Sequence, residues 1–367
     1  MKKAYHGGGG VYNTIGKDFE DIGRNKEVAN ADGLDAWFDP SPKAVAKLSK
    51  YLNFSIKTSP PVNGDGLKVA ISKYRDVPEE NIIIAGGSSD LMYALFPNLG
   101  VKRILILDPM YGEYKHIFEN VLNGIKLATC RLLPKNNFEI NQDEFVDLIN
   151  KAKPELVVIV NPNNPSGNFL NKRDISKIIR SIPKKTLFAI DETYIDYADS
   201  KESAETLVPR HKNLIVIKSM SKAYSLSGAR AGYIVASKDI TEKIDRNIPP
   251  FSVSTPAQIL AIEALKDNKY YRAKWKETRR LRKNFIKKLR GIPNIRIYSG
   301  EGNFFFIELL NKLSGSAEKV VKKLSKRNIY IRNADSMSNY FHKSFVRIAV
   351  KDQKTNKIIA EALQKIL

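Results

Sequence analysis

The stretch LVVIVNPNNPSGNFLNKRDISKIIRSIPKKTLFAIDETY, residues 156–194, decides the fold. It opens on five consecutive aliphatic residues, 156–160, and stops at Asn161 and Pro162. A short unbroken apolar run between turn residues fits a strand buried on both faces. The segment KRDISKIIRSI, 172–182, spaces its isoleucines as a helix does. A second run, LFAI at 187–190, then stops at Asp191. Strand, helix, strand in this order predicts a mostly parallel sheet with helices on both faces.

The same grammar extends outward in both directions. NIIIAGG (81–87), RILILDP (103–109), LIVIKS (214–219) and AGYIVAS (231–237) read as further strands, and SSDLMYALFPNLG (88–100) as a helix. In such sheets ligands sit beyond the carboxyl ends of the strands. The polar residues after each run are therefore expected to form one site. These are Gly86 to Asp90, Asp108 to Tyr111, Asn161 to Gly167, Asp191 to Tyr194 and Lys218 to Lys222. From about residue 245 the pattern changes to basic helices and short strands (IRIYS, NFFFIEL, IYIRN, FVRIAV), a smaller α+β unit. The expected bounds are an N-terminal arm or part of the small domain at 1–45, a large α/β domain at 46–245 and the small domain at 246–367. The arm is expected to wrap over the core or a partner subunit. NIPPFSVSTPAQ (247–258) connects the two domains.

Composition removes several classes of function. Apolar residues make 43% and charged residues 27% of the 367, as in globular proteins. No run approaches the ~18 apolar residues of a membrane helix. The start, MKKAYHGGGGVYN, has no apolar run behind its lysines, so no secretory signal is read and the expected location is cytoplasmic. A single cysteine, Cys130, excludes a disulfide framework, and four scattered histidines lack metal-ligand spacing, so no metal is expected. The net charge of +22 raises the question of nucleic acid. The densest basic run, KWKETRRLRKNFIKKLR (274–290), keeps helical spacing at Trp275, Leu281, Phe285 and Leu289, so it reads as a solvated helix face. A basic surface also steers anionic substrates inward.

The post-strand residues permit one particular chemistry. Lys222 lies between serines 219 and 221 and the helix-like residues beyond. A lysine at a strand end forms a Schiff base with an aldehyde when its surroundings lower its pKa. Asp191 is placed to keep a pyridine nitrogen protonated, and Tyr194 to hydrogen-bond a phenolate oxygen of that ring. Ser88, Ser89, Ser219, Ser221 and Arg230 are the parts of a phosphate cup. Tyr111 supplies a flat face for a cofactor. Each residue alone has a plainer reading, as a helix cap, a surface lysine or ordinary packing. No GxxxxGK[ST] loop accompanies the Asp191–Glu192 pair, which removes nucleotide hydrolysis.

The combination is specific. NPNNPSG, DETYIDY and SMSKAYSLSGARAGY, in that order, resemble the aminotransferases of the pyridoxal-phosphate fold type I, over roughly residues 60–350. The branch it resembles most is that of histidinol-phosphate aminotransferase and threonine-phosphate decarboxylase. The resemblance implies that Lys222 carries pyridoxal 5′-phosphate and shuttles the substrate proton. It implies that Asp191 pairs with the pyridine nitrogen and that Tyr194 and Asn164 bind the ring oxygen. Ser219, Ser221 and Arg230 would hold the phosphate, with Ser88 and Ser89 opposite and Tyr111 stacked on the ring. Arg347 would clamp a substrate carboxylate, and Arg332 lies where the branch has an arginine near the substrate tail. His6, in an HGG start similar to threonine-phosphate decarboxylases, and Tyr12 are assigned to the substrate side as well. Two stretches depart from the branch. LDAWFDPSP (34–42) replaces an NENP-like stretch, and Ser59 stands where a tyrosine of a YPD motif is usual. Both departures touch the substrate entrance.

The expected activity is amino transfer from an amino acid or amino phosphate to a 2-oxo acid, by a homodimer. Decarboxylation of a phosphorylated amino acid on the same cofactor is the alternative, supported by the HGG start. A non-catalytic nucleic-acid-binding protein is a third reading, and the intact set of Lys222, Asp191, Tyr194, Asn164 and Arg230 argues against it.

Overall fold

A computed structural model of the chain describes residues 9–313 and 315–367. Twelve strands follow in chain order: β1 (Ala29–Ala31), β2 (Ile82–Ala85), β3 (Arg103–Asp108), β4 (Lys126–Arg131), β5 (Leu156–Val160), β6 (Leu187–Asp191), β7 (Leu214–Ser219), β8 (Gly232–Val235), β9 (Ile295–Tyr298), β10 (Phe304–Leu309), β11 (Ile329–Asn333) and β12 (Phe345–Ala349). Seven of them form one sheet in the order β2-β8-β7-β6-β5-β3-β4. All pairs are parallel except those of β8, which runs against both β2 and β7. Every residue of β5 and β7 is buried, as expected of strands covered on both faces.

The helix Lys172–Ser181 shows why the decisive stretch folds as it does. Asn171 caps it by accepting from the Asp174 N–H. Its isoleucines 175, 178 and 179 are buried against the sheet. The helix then ends and Pro183 leads into β6.

Two strands carry no apolar run and escape a sequence reading. β4 is an edge strand whose residues are half or fully exposed. β1 belongs to the N-terminal segment and pairs in parallel with β11. It completes a second, five-stranded sheet in the order β1-β11-β12-β10-β9. Phe138, Phe306, Phe341 and Phe345 pack ring against ring at this second sheet. The basic stretch lies on the helix Asn268–Leu289, which buries Tyr271, Trp275, Leu281, Phe285 and Leu289 on one side. Arg282 is the buried exception. Its guanidinium pairs with Glu301 at 2.6 Å and donates to the Gly302 carbonyl. Among the described residues, no helix is long and apolar enough to cross a membrane.

Candidate active site

The carboxyl ends of β5, β6 and β7 lie side by side and open onto a cavity of about 290 Å³. Asp191, the last residue of β6, sits on its wall with its carboxylate buried. Oδ1 accepts from the Thr193 N–H at 2.8 Å and from the Thr193 hydroxyl at 2.6 Å. Oδ2 accepts from the Tyr114 hydroxyl at 2.7 Å. Burial raises this carboxyl above the ordinary carboxylate range, and the bonds from Thr193 and Tyr114 offset only part of the rise. Tyr114 is absent from the sequence reading. Its signal was only the second tyrosine of DPMYGEY, which has nothing to distinguish it until the fold brings it to Asp191.

The turn after β5 supplies Asn164. Its Oδ1 accepts from Arg347 Nη1 at 2.7 Å, and its Nδ2 faces the Tyr194 hydroxyl at 3.4 Å. Burial pushes the Tyr194 hydroxyl well above its ordinary pKa, so it stays a donor. Arg347 lies on β12, directly across from Arg332 on β11. Both guanidinium groups line the cavity, and the buried Arg347 Nε has no hydrogen-bond partner among the described residues. Burial lowers Arg347 to about 10, with Arg332 contributing, so it remains a cation at neutral pH.

An anion cup closes one part of the cavity. Ser219 caps the short helix Met220–Ala223 by accepting from the Ser221 N–H at 3.2 Å. Arg230 Nη1 donates to the Ser221 hydroxyl at 3.3 Å and to the Ser227 carbonyl at 3.0 Å. Its backbone is left-handed, with φ of 59°. Gly87 makes room for it: a Cβ there would stand 2.6 Å from Arg230 Nη2. Ser88 and Ser89 begin the helix Ser88–Asn98 and line the same cavity. The unpaired N–H groups and dipole of a helix start favour an anion. Tyr111 lines the cavity too, its hydroxyl raised to about 12 by burial, with Glu113 and Asp191 adding to the effect.

Lys222 follows this cup, and its Nζ donates to Asp35 Oδ1 at 2.6 Å. Asp35 also escaped the sequence reading. It lies in the LDAWFDPSP departure, 187 residues away in the chain.

Not every post-strand residue reaches the cavity. Glu192 and Lys218 turn to the other side, because neighbouring residues leave a strand on opposite faces. Lys218 Nζ lies 3.3 Å from Glu192 and 3.5 Å from Glu205, in a buried network that includes Arg75. The expectation of one site holding all of these residues is corrected in that respect, and Asp90 and Asp108 also stand outside the cavity lining. Tyr12 is 44% exposed and packs against Phe19 rather than lining the cavity. His6 lies outside the described residues.

The donor set fits one kind of cofactor. A lysine amine takes an aldehyde, a buried carboxylate takes a protonated ring nitrogen, and serines with an arginine at a helix start take a phosphate. The slot that joins them defines an enzyme built around pyridoxal 5′-phosphate. A family model, Aminotransferase class I and II, matches residues 33–363. The chain belongs to that family and is a pyridoxal-phosphate-dependent aminotransferase, which moves an amino group from an amino donor to a 2-oxo acid. It is 29% identical over 352 residues to histidinol-phosphate aminotransferase 2 of Archaeoglobus fulgidus, covering 95% of both chains. It superposes on the histidinol-phosphate aminotransferase from Clostridium acetobutylicum with a TM-score of 0.81 and 29% identity, over 91% of this chain and 98% of that one. The Sinorhizobium meliloti enzyme of the same name, solved with pyridoxal-5′-phosphate, shares the fold with a TM-score of 0.82 at 19% identity, over 99% and 98% of the two chains. Relatives and neighbours thus make this aminotransferase most like the histidinol-phosphate enzymes.

Proposed function

We propose that the amino donor is a phosphorylated amine or amino acid of the histidinol-phosphate kind, and that the enzyme works as a cytoplasmic homodimer. The observation that carries the donor class is the cross-strand pair Arg332 and Arg347, two guanidinium groups in one cavity that already holds an anion cup at Arg230. Of the two anion sites, the cup at Arg230 serves the cofactor phosphate. The other is left for an anion on the substrate, as a bidentate partner for phosphate or carboxylate.

The bound cofactor supplies an aldehyde carbon that accepts the amino group and a ring that withdraws electrons from it. The chain's own residues would do the rest. Asp191, oriented by Thr193 and Tyr114, would pair with the ring nitrogen and keep it protonated. Tyr194 and Asn164 hold the ring oxygen, and Asn164 ties that position to Arg347. Lys222 would take the proton from the substrate Cα and return it two atoms along, at the carbon that had been the cofactor's aldehyde. Tyr111 closes the ring from one side, and Ser88, Ser89, Ser219, Ser221 and Arg230 grip the phosphate. This role set extends the two-domain division at about residue 245, since Arg332 and Arg347 come from the five-stranded sheet and the remainder from the seven-stranded one.

The subunit contact would use the apolar surface around Ser59. Phe54, Ile56, Val62 and Phe251 are all about half exposed or more, and Phe251 N–H bonds to the Val62 carbonyl. Such exposed apolar residues support burial by a second copy.

The test is an assay of the cofactor-loaded protein with histidinol phosphate, then threonine phosphate, with 2-oxoglutarate as acceptor. Glutamate formed from histidinol phosphate without carbon dioxide supports the reading. Carbon dioxide from threonine phosphate, with no glutamate, would move the activity to decarboxylation.

A further inference from the structure

The segment Asp32–Asp35 runs past the cavity as a strap, and its backbone is held at four consecutive carbonyls. Arg347 Nη2 donates to Asp32 O at 2.8 Å. Asn303 Nδ2 donates to Leu34 O at 2.8 Å. Lys351 Nζ donates to Asp35 O at 2.9 Å and reaches Gly33 O at 3.5 Å. The Asp35 side chain leaves this strap toward the reactive amine. Its Oδ1 lies 2.6 Å from Lys222 Nζ and accepts from the Ser227 hydroxyl at 2.7 Å. Ser227 itself sits on the loop that follows Lys222, within 3.4 Å of Nζ.

An ordinary exposed ion pair contributes little, because two mobile side chains must be ordered in water. Here the Asp35 side chain is 54% exposed, yet its backbone is fixed and the Lys222 side chain is only 25% exposed. The entropy of finding each other is largely met before the pair forms. Burial alone would raise the Asp35 carboxyl, but the charge and hydrogen bond of Lys222, then Ser227 and Lys351, outweigh it and hold it at about 2. The carboxylate is thus ionised at every working pH.

We propose that Asp35 is a positioning residue for Lys222: in the cofactor-free enzyme it docks the lysine side chain against the strap, and so sets how readily that amine takes the cofactor. The proposal rests on Lys222 being the cofactor lysine. The amine must leave its 2.6 Å contact with Asp35, itself held by Ser227, before it can attack an aldehyde. Asp35 therefore restrains the amine before cofactor arrives. The aspartate stands in LDAWFDPSP, the stretch that departs from the branch's NENP-like pattern.

The experiment uses the native chain stripped of cofactor. Reductive methylation with formaldehyde and cyanoborohydride near neutral pH is followed at the Lys222 peptide by mass spectrometry. The comparison set is the native chain, Asp35→Asn and Asp35→Glu, with Lys184 and Lys185 as internal standards. Methylation of Lys222 should rise about tenfold in Asp35→Asn, which keeps the side-chain shape and loses the charge-assisted bond. Asp35→Glu should stay near the native rate, and the two standards should not change. Equal Lys222 rates in the native and Asn proteins would overturn the proposal, as would a Glu variant that behaves like Asn. The underlying reading is checked separately by borohydride reduction of the cofactor-loaded native protein. A label on a lysine other than 222 would sink that reading whatever the Asp35 series shows.

Discussion

At the scale of single residues, the site is a set of charges whose neighbours decide their ionisation. Lys222→Ala should leave the fold intact, since among the described residues its amine hydrogen-bonds to Asp35 and Ser227, both near the cavity. It should abolish the visible absorbance of the cofactor-loaded protein and reduce amino transfer to background. Tyr114→Phe is the sharper probe, because it deletes one donor to a buried carboxylate and no charge. A hydrogen bond to a charged group contributes about 1.5–3 kcal/mol, so kcat should fall roughly 10- to 100-fold with KM little changed. The sign of the pH effect follows from the cause. Burial raises Asp191 and the Tyr114 bond lowers it. Removing the bond lets the carboxyl rise further, so the acid limb of the kcat profile should move to higher pH. A profile unchanged in position would mean that Tyr114 does not act through Asp191. Lys222, Asp191, Tyr194, Asn164, Arg230 and Arg347 were legible in the sequence because a fixed order of short motifs carries them. Tyr114 and Asp35 were not, because each matters only through a partner 77 or 187 residues away.

At the scale of elements, the packing of β8 against the start of the Ser88–Asn98 helix is held open by one glycine. A Cβ on Gly232 would stand 2.7 Å from Ser88 N, 2.8 Å from Gly87 C and 3.0 Å from Lys218 O, all backbone. Gly232→Ala should therefore cost about 1–3 kcal/mol in urea unfolding and weaken cofactor binding at the cup. Lys351 tests the strap. Burial lowers its amine from an ordinary 10.5 to about 8, against the attraction of Asp35. Between those values the unfolded chain holds a proton that the folded chain has released. Stability of the native chain relative to Lys351→Met should thus climb as pH rises from 8 to 10.5 and be flat below 8, read by thermal unfolding of the cofactor-free proteins. A constant difference across that window would place Lys351 in ordinary solvent. The strands with apolar runs were all legible, including β8. Its antiparallel direction was not, because an apolar run records burial on two faces and says nothing of polarity. β4 lacks such a run because its residues are half or fully exposed, and β1 because it is only three residues long, two of them alanine.

At the scale of the whole molecule, the apolar patch around Ser59 and the basic surface make different demands. If the patch is the subunit contact, sedimentation should give twice the chain's mass, and Ile56→Asp should shift it to one chain and weaken cofactor retention. Ile56 is 69% exposed in the single chain, so a charge there should not disturb the fold itself. A dimer that survives Ile56→Asp unchanged would move the contact elsewhere. The basic residues of the Asn268–Leu289 helix lie mostly on its outer face, as its amphipathic spacing required. What the sequence by itself determined was the class of sheet, the cofactor chemistry and the order of the residues that serve it. These follow from local rules: the period of apolar residues, the turn chemistry at strand ends and the few side chains able to do that chemistry. The tertiary structure alone decided which side of the sheet each polar residue faces, that Glu192 and Lys218 leave the site, that Tyr114 enters it, and that Asp35 meets Lys222. Those outcomes depend on the register and twist that bring distant strand ends together. The free energy of such contacts is set by burial and partner charge, neither of which exists until the chain has folded.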